Sequence, residues 1–238
     1  IGALVALHWL TFYGAIKLAN ASVAVTCIAL ATVFVPLVEP WITGQRFQPR
    51  ELLIGVAVVP GVALVVGGVP AEMYLGIVVG TVSALLVAFF GALNKRYVEH
   101  ADPLTVTGVE LGAGGLILAL LAPALPWFGS PLMLPGWQDA GLLLVLAMAC
   151  TLLPFALSLV ALRRMSAFSA QLAVNLEPIY AIVLAIVLLG EQRELGPVFY
   201  AGVAIILAGV FAHPLLSRQP PHKPDPAMLG TAEAKSLD

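Results

Sequence analysis

The sequence predicts an all-α fold, a polytopic bundle of transmembrane helices, and three observations carry that prediction. The composition is 61% hydrophobic and only 10% charged, against about 45 to 50% apolar and about 25% charged in an ordinary soluble domain, so there are too few charges to cover a surface in water. Mean hydropathy is +1.01, and the apolar residues come in runs of about twenty, the length a helix needs to cross about 30 Å of hydrocarbon. Glycines, prolines and short polar loops cut these runs into eight candidate spans. The formal net charge of -2 says little, because in a membrane protein the placement of charge outweighs its sum.

The first span, 1–19, starts at Ile1 inside an apolar run, with no basic leader and no small-residue cleavage site. The natural N-terminus is therefore expected upstream. The second, 21–43, closes near Glu39-Pro40, where the carboxylate is either solvated or part of a gate. The third, 51–68, and the fourth, 73–98, are parted by Gly67, Gly68 and Pro70, and the fourth ends on Lys95-Arg96. The fifth, 103–125, carries Glu110 beside Gly108, Gly112, Gly114 and Gly115, a run suited to close helix approach, which gives Glu110 an interhelical or dimer-contact role. The sixth, 138–162, stops before Arg163-Arg164; the seventh is 167–189 and the eighth 196–216. Beyond it, 217–238 holds Pro220, Pro221, Pro224 and Pro226 with few large apolar residues, the composition of a disordered tail. Cys27 and Cys150 lie inside apolar runs without metal-ligand or CxxC spacing and read as small buried residues.

Lys and Arg set the orientation, since positively charged loops stay cytoplasmic. With the first helix running outward, Arg46, Arg50, Lys95, Arg96, Arg163, Arg164, Arg218, Lys223 and Lys235 fall inside, and the C-terminus with them. Lys17 and Arg193 fall outside, and Lys17 can snorkel from its helix end. The loop from Pro126 to Trp137, with two Trp and no Lys or Arg, is then external. A shift of 146 residues lays Ala15 on Ala161, Ala21 on Ala167, Ala24 on Ala170, Leu30 on Leu176 and Gly44 on Gly190, and after a one-residue slip Gly55 on Gly202. The two copies would cross the membrane in opposite senses, the inverted repeat of many secondary transporters.

From Ser166 to Gln192 the residues read SAFSAQLAVNLEPIYAIVLAIVLLGEQ, followed by a Gly-containing helix from Phe199 to Phe211. This resembles the ninth and tenth helices of the drug/metabolite transporter superfamily, EamA-like branch, where a polar-then-apolar helix ends in Leu-Gly-Glu. Ala15 to Pro36 and then Gly44 are similar to its third and fourth helices. The resemblance implies ten helices as two inverted five-helix repeats with both ends cytoplasmic. Residues 1–68 would then be the remainder of the first repeat without its first two helices, and 73–216 the second repeat. It also implies export of small metabolites, such as amino acids or drug-like compounds, across a bacterial inner membrane.

Glu177 stands about ten residues into the seventh span, where an ionisable side chain costs roughly 3 kcal/mol unless it faces protein or water. Its functional reading is the binding of a proton or of a cationic substrate group; the plainer alternative is a permanent hydrogen bond to a neighbouring helix. Pro178 removes the amide that would bond the Val174 carbonyl and so kinks the helix. Gln171 and Asn175 share one helix face, Glu177 and Tyr180 another, and Asn175 is favoured for a cavity. In the first span His8 with Phe12, and Trp9 with Tyr13, form i, i+4 pairs whose rings can stack on a planar or cationic substrate; a belt of interfacial aromatics and a packed histidine is the alternative. There is no Walker loop, HExxH, GxSxG or Cys/His cluster, so no catalytic, metal or cofactor role is expected. Lys95-Arg96 and Arg163-Arg164 read as topology anchors, not a nucleic-acid patch. The expected partners are the bilayer, a small-molecule substrate, protons if exchange drives transport, and a second copy if Glu110 lies at a dimer contact. A non-transporting membrane sensor or assembly partner, or a lipid enzyme, is the rival reading.

Overall fold

A computed structural model describes residues 1–98, 101–124, 134–174, 176–190 and 195–216, with the side chains at 178, 179 and 210–216 excepted. The disordered-tail expectation, most of the 126–137 loop, Asn175, and Glu191 and Arg193 beyond the seventh span lie outside the described residues.

Helices fill nearly all of the described chain, and no strand occurs among those residues. The first span is α1 (Gly2–Leu18). The second is two helices in line, α2 (Ala21–Ile28) and α3 (Ala31–Thr43). Then come α4 (Pro49–Gly67), α5 (Tyr74–Tyr97) and α6 (Pro103–Leu121). The sixth span is α7 (Trp137–Ala147), a π-helical turn over Met148–Leu152, and α8 (Leu153–Leu162). The seventh is again two pieces, α9 (Ala167–Val174) and α10 (Glu177–Leu189), and α11 (Pro197–Leu216) is the last. Ala21–Thr43, Pro49–Gly67, Ala71–Tyr97, Pro103–Ala124 and Trp137–Leu162 are each long and apolar enough to cross a membrane.

Local chemistry explains these limits. The Asn20 side chain accepts from the Val23 amide at 2.9 Å and starts α2, and Asp102 accepts from the Thr105 amide at 2.9 Å and starts α6, each relieving an orphan donor of a first turn. That bond holds the exposed Asp102 carboxyl below its ordinary range. Gly44 and Gly190 end α3 and α10 in the left-handed region, at φ 75° and 73°, which a glycine reaches without strain.

Small residues set the tightest packing. Gly61 on α4 and Gly202 on α11 bring two backbones together, so closely that a Cβ on Gly202 would stand 2.4 Å from the Gly61 carbonyl oxygen. In the same way Gly76 and Gly80 of α5 lie against Ala19 and Cys27. Close approach of this kind drives helix association where no hydrophobic gain is available. Leucines and valines such as Leu53, Leu120 and Val187 are more than two-thirds exposed, an outer face that hydrocarbon can solvate and water cannot. Of the small run on α6, Gly114 meets Gly2 of α1, while Gly108, Gly112 and Gly115 have open space where a Cβ would stand.

The breaks in the second and seventh spans correspond. Shifted by 146 residues, the ends of α2 and α3 fall on the ends of α9 and α10, and Gly44 falls on Gly190. At the first break Ala29 and Leu30 bond back three residues, to Thr26 and Cys27. At the second, Leu176 bonds to Ala173. The two broken spans meet where α10 packs on α2.

Candidate functional site

The breaks flank a cavity of about 680 Å³, within the range of small-molecule sites. One wall is α1, with His8, Trp9, Phe12 and Tyr13. Val25, Ile28 and Val35 of the second span, and Val87, Phe90, Gly91 and Asn94 of α5, form the next two. Opposite lie Cys150 and Thr151 of the π-helical turn and Pro154, Phe155 and Ser158 of α8. Ala170, Gln171, Val174, Glu177 and Tyr180 complete the ring. Every sequence-selected side chain that is described, namely Glu177, Gln171, Tyr180, His8, Trp9 and Tyr13, lines this one hollow. Pro178 lies in the first turn of α10, where a missing amide costs no helix bond. Before it Leu176 is a turn residue in the right-handed helical region that bonds back to Ala173, and Glu177 opens α10.

Among the described lining residues Glu177 is the one carboxyl, and neither Lys nor Arg joins it. Gln171 is buried and Glu177 half-buried, whereas Tyr180 and Tyr13 are exposed to the hollow and its surroundings. The His8 ring is fixed from behind: Nδ1 lies 2.8 Å from Ser83 Oγ, and that hydroxyl lies 3.2 Å from the His8 carbonyl oxygen. One hydrogen scheme serves both contacts. Nδ1–H donates to Oγ, Oγ–H donates to the carbonyl, and Nε2 remains the ring's acceptor. Phe12 stacks on the ring at 5.8 Å and Phe90 tilts against it at 5.5 Å.

Two features of the site depart from the sequence reading, and a third decides between two of its alternatives. Cys150 is expected to be buried and is exposed, in a stretch of the sixth span where every residue from Gly141 to Cys150 is exposed; Cys27 is buried. Glu39 is neither solvated nor loose: 4% exposed, it accepts from the Ala167 amide at 2.9 Å and from the Phe168 amide at 3.0 Å, one on each oxygen. A side chain of α3 thereby caps α9, favoured by the positive helix start. Glu110 is buried within the chain, hydrogen-bonded by Asn94 of α5, which gives it an interhelical contact.

The cavity is closed at the end where the basic pairs lie. Val35, Val38, Ile42, Ala88, Ala92, Leu159, Leu162 and Phe168 form a packed floor. Lys95 donates to the Leu162 carbonyl at 2.8 Å, Arg96 to Ile42 at 2.7 Å, and Arg163 to Ala101 at 2.6 Å. The first two bonds satisfy last-turn carbonyls of α8 and α3 with cations, as the macrodipole favours, and the third holds the connection before α6.

Broken apolar helices around a ligand-sized hollow define a class, the polytopic membrane proteins that handle small solutes within the bilayer. The family model of the EamA-like transporter family matches residues 74–213, and the chain belongs to that family; it is an integral membrane protein of the drug/metabolite transporter type. The fold recurs in a solved structure titled "Crystal structure of protein", at a TM-score of 0.65 and 18% identity, covering 92% of this chain and 75% of that one. No curated protein matches the chain.

Proposed function

We propose that the protein is a secondary transporter that exports small organic metabolites, amino acids or amphipathic drug-like compounds, by alternating access. The observation that carries this is Glu177, the one carboxyl among the described residues on the wall of a cavity of about 680 Å³, at the start of α10. A substrate ammonium or a proton neutralises it there, and the aromatic wall of His8, Trp9, Tyr13 and Tyr180 receives the apolar part. The matching breaks and glycine ends of the second and seventh spans support an inverted repeat whose halves rock about the site. The excess of Lys and Arg at the closed end supports a cytoplasmic floor, hence an outward-facing state in a bacterial inner membrane.

Flux of radiolabelled amino acids and amphipathic amines in proteoliposomes tests this. At least one compound should move with the wild type, and Glu177→Gln should abolish the flux or shift its pH profile while folded protein is recovered in equal amount. A flat response to the whole panel from well-folded protein removes the transporter reading in favour of a membrane sensor.

A further inference from the structure

A second polar cluster lies away from Glu177, in the wall between two hollows. Glu110 sits seven residues into α6, about 10 Å from the helix start, and is 5% exposed; Asn94 on α5 is 2% exposed. The Asn94 amide donates to the Glu110 carboxyl. Asn94 Oδ1 and Glu110 Oε2 are then buried acceptors without any donor. Native structures rarely leave one such atom, and a charged carboxylate in this apolar place is dearer still. A single hydrogen on Oε2, donated to Oδ1, would remove both defects and close an acid–amide pair with a bond in each direction.

We propose that Asn94 and Glu110 form a proton-binding pair in the partition between the central cavity, which Asn94 lines, and a lateral groove, which Glu110 lines. The groove, about 410 Å³, runs between the start of α1 and α6, past Thr105 and Ala113. Proton uptake turns the carboxylate into a carboxylic acid with no other bond made or broken. Loss of the proton to water leaves a charge facing the Asn94 carbonyl dipole and weakens the link between these two side chains. A link of this proton to substrate movement rests on the transporter reading above; the proton binding does not.

The surrounding charges are few. The elements packed on α6 are chiefly α1 and α8. On α1, His8 is held by Ser83, and Tyr13 and Lys17 lie farther along that helix. The α8 sequence has no titratable side chain, and Arg163 beyond it donates to the carbonyls of Val98 and Ala101. On α5, Lys95 and Arg96 donate to carbonyls of Leu162 and Ile42. The hydroxyl of Thr107, one turn before Glu110, is a third buried oxygen without a partner. Three oxygens suggest a metal cation, but the Asn94 NH₂ turned toward the carboxyl presents positive hydrogens, and a proton needs no such vacancy.

Infrared difference spectra of the protein in proteoliposomes, taken between acid and alkaline buffers, read the pair directly. A protonated-carboxyl band should appear at acid pH, vanish in Glu110→Gln, shift in Asn94→Leu, which removes the accepting carbonyl, and persist in Glu177→Gln. Should Glu110→Gln fail to fold, the shift in Asn94→Leu reads the same group. Absence of any band that depends on Glu110 or Asn94 overturns the proposal. So does sodium-dependent thermal stabilisation of the wild type at fixed pH that Glu110→Gln abolishes, since that marks a cation site. Flux without the band removes this pair and leaves the transporter standing; the band without flux does the reverse.

Discussion

At the residue scale, the most telling side chain is Glu39. Both of its oxygens are committed to the first amides of α9, so it ties the second span to the seventh at the floor of the cavity. In Glu39→Gln one acceptor becomes a donor facing a donor, and a buried amide loses its partner, at a cost of about 1–3 kcal/mol. The expected result is a lower thermal midpoint for the purified protein in detergent, with Glu39→Asp falling between the two because its shorter arm reaches one amide at best. An unchanged midpoint in Glu39→Gln means that water serves these amides equally well. The sequence marked Glu39 as a choice between solvent and a gate. Nothing in the local pattern reveals a bond whose two ends lie about 128 residues apart in sequence, and such pairings are visible only once the helices are packed.

At the scale of elements, the eight spans were legible because hydrocarbon thickness imposes a length and because Gly and Pro mark the turns. The cavity wall was legible in part: Glu177, Gln171 and Tyr180 stand out as polar groups in an apolar run, and the described ones share a hollow. The turns at Ala29–Leu30 and Leu176, and the π-helical turn at Met148–Leu152, were not, since apolar residues there satisfy a hydropathy pattern whichever way the backbone bonds. Cys150 is exposed because the sixth span is little covered by the rest of the chain, and an apolar run in a membrane protein reads alike whether it faces protein or lipid. Close packing of elements yields a sharper prediction. On Gly202 a Cβ meets backbone and the Val65 side chain of α4, whereas on Gly108 it meets open space. Gly202→Ala should therefore cost about 1–3 kcal/mol by overpacking, and Gly108→Ala should be neutral or stabilising by up to about 1 kcal/mol through helix propensity. Paired thermal melts in the same detergent check the contrast, and equal midpoints would show that α4 and α11 are not held by this contact.

At the scale of the whole molecule, the packed floor, the Glu39 cap and the carbonyl bonds of Lys95, Arg96 and Arg163 all lie at one end of the cavity, so the two sides of the membrane should differ in access to its wall. Nature has supplied the probe. Cys150 is exposed on that wall, whereas Cys27 is buried with its thiol toward the Ile77 carbonyl. A membrane-impermeant maleimide applied to intact cells should label Cys150 and leave Cys27 untouched, because reaction needs an accessible thiolate. Inverted vesicles should label it several-fold more slowly, the reagent being stopped by the floor. Glu39→Gln should narrow that difference by weakening the floor, and a transported substrate should protect Cys150 by filling the hollow. Equal labelling from both faces in the wild type would mean that this floor is no barrier, and an alternating-access cycle would then need its closed end elsewhere.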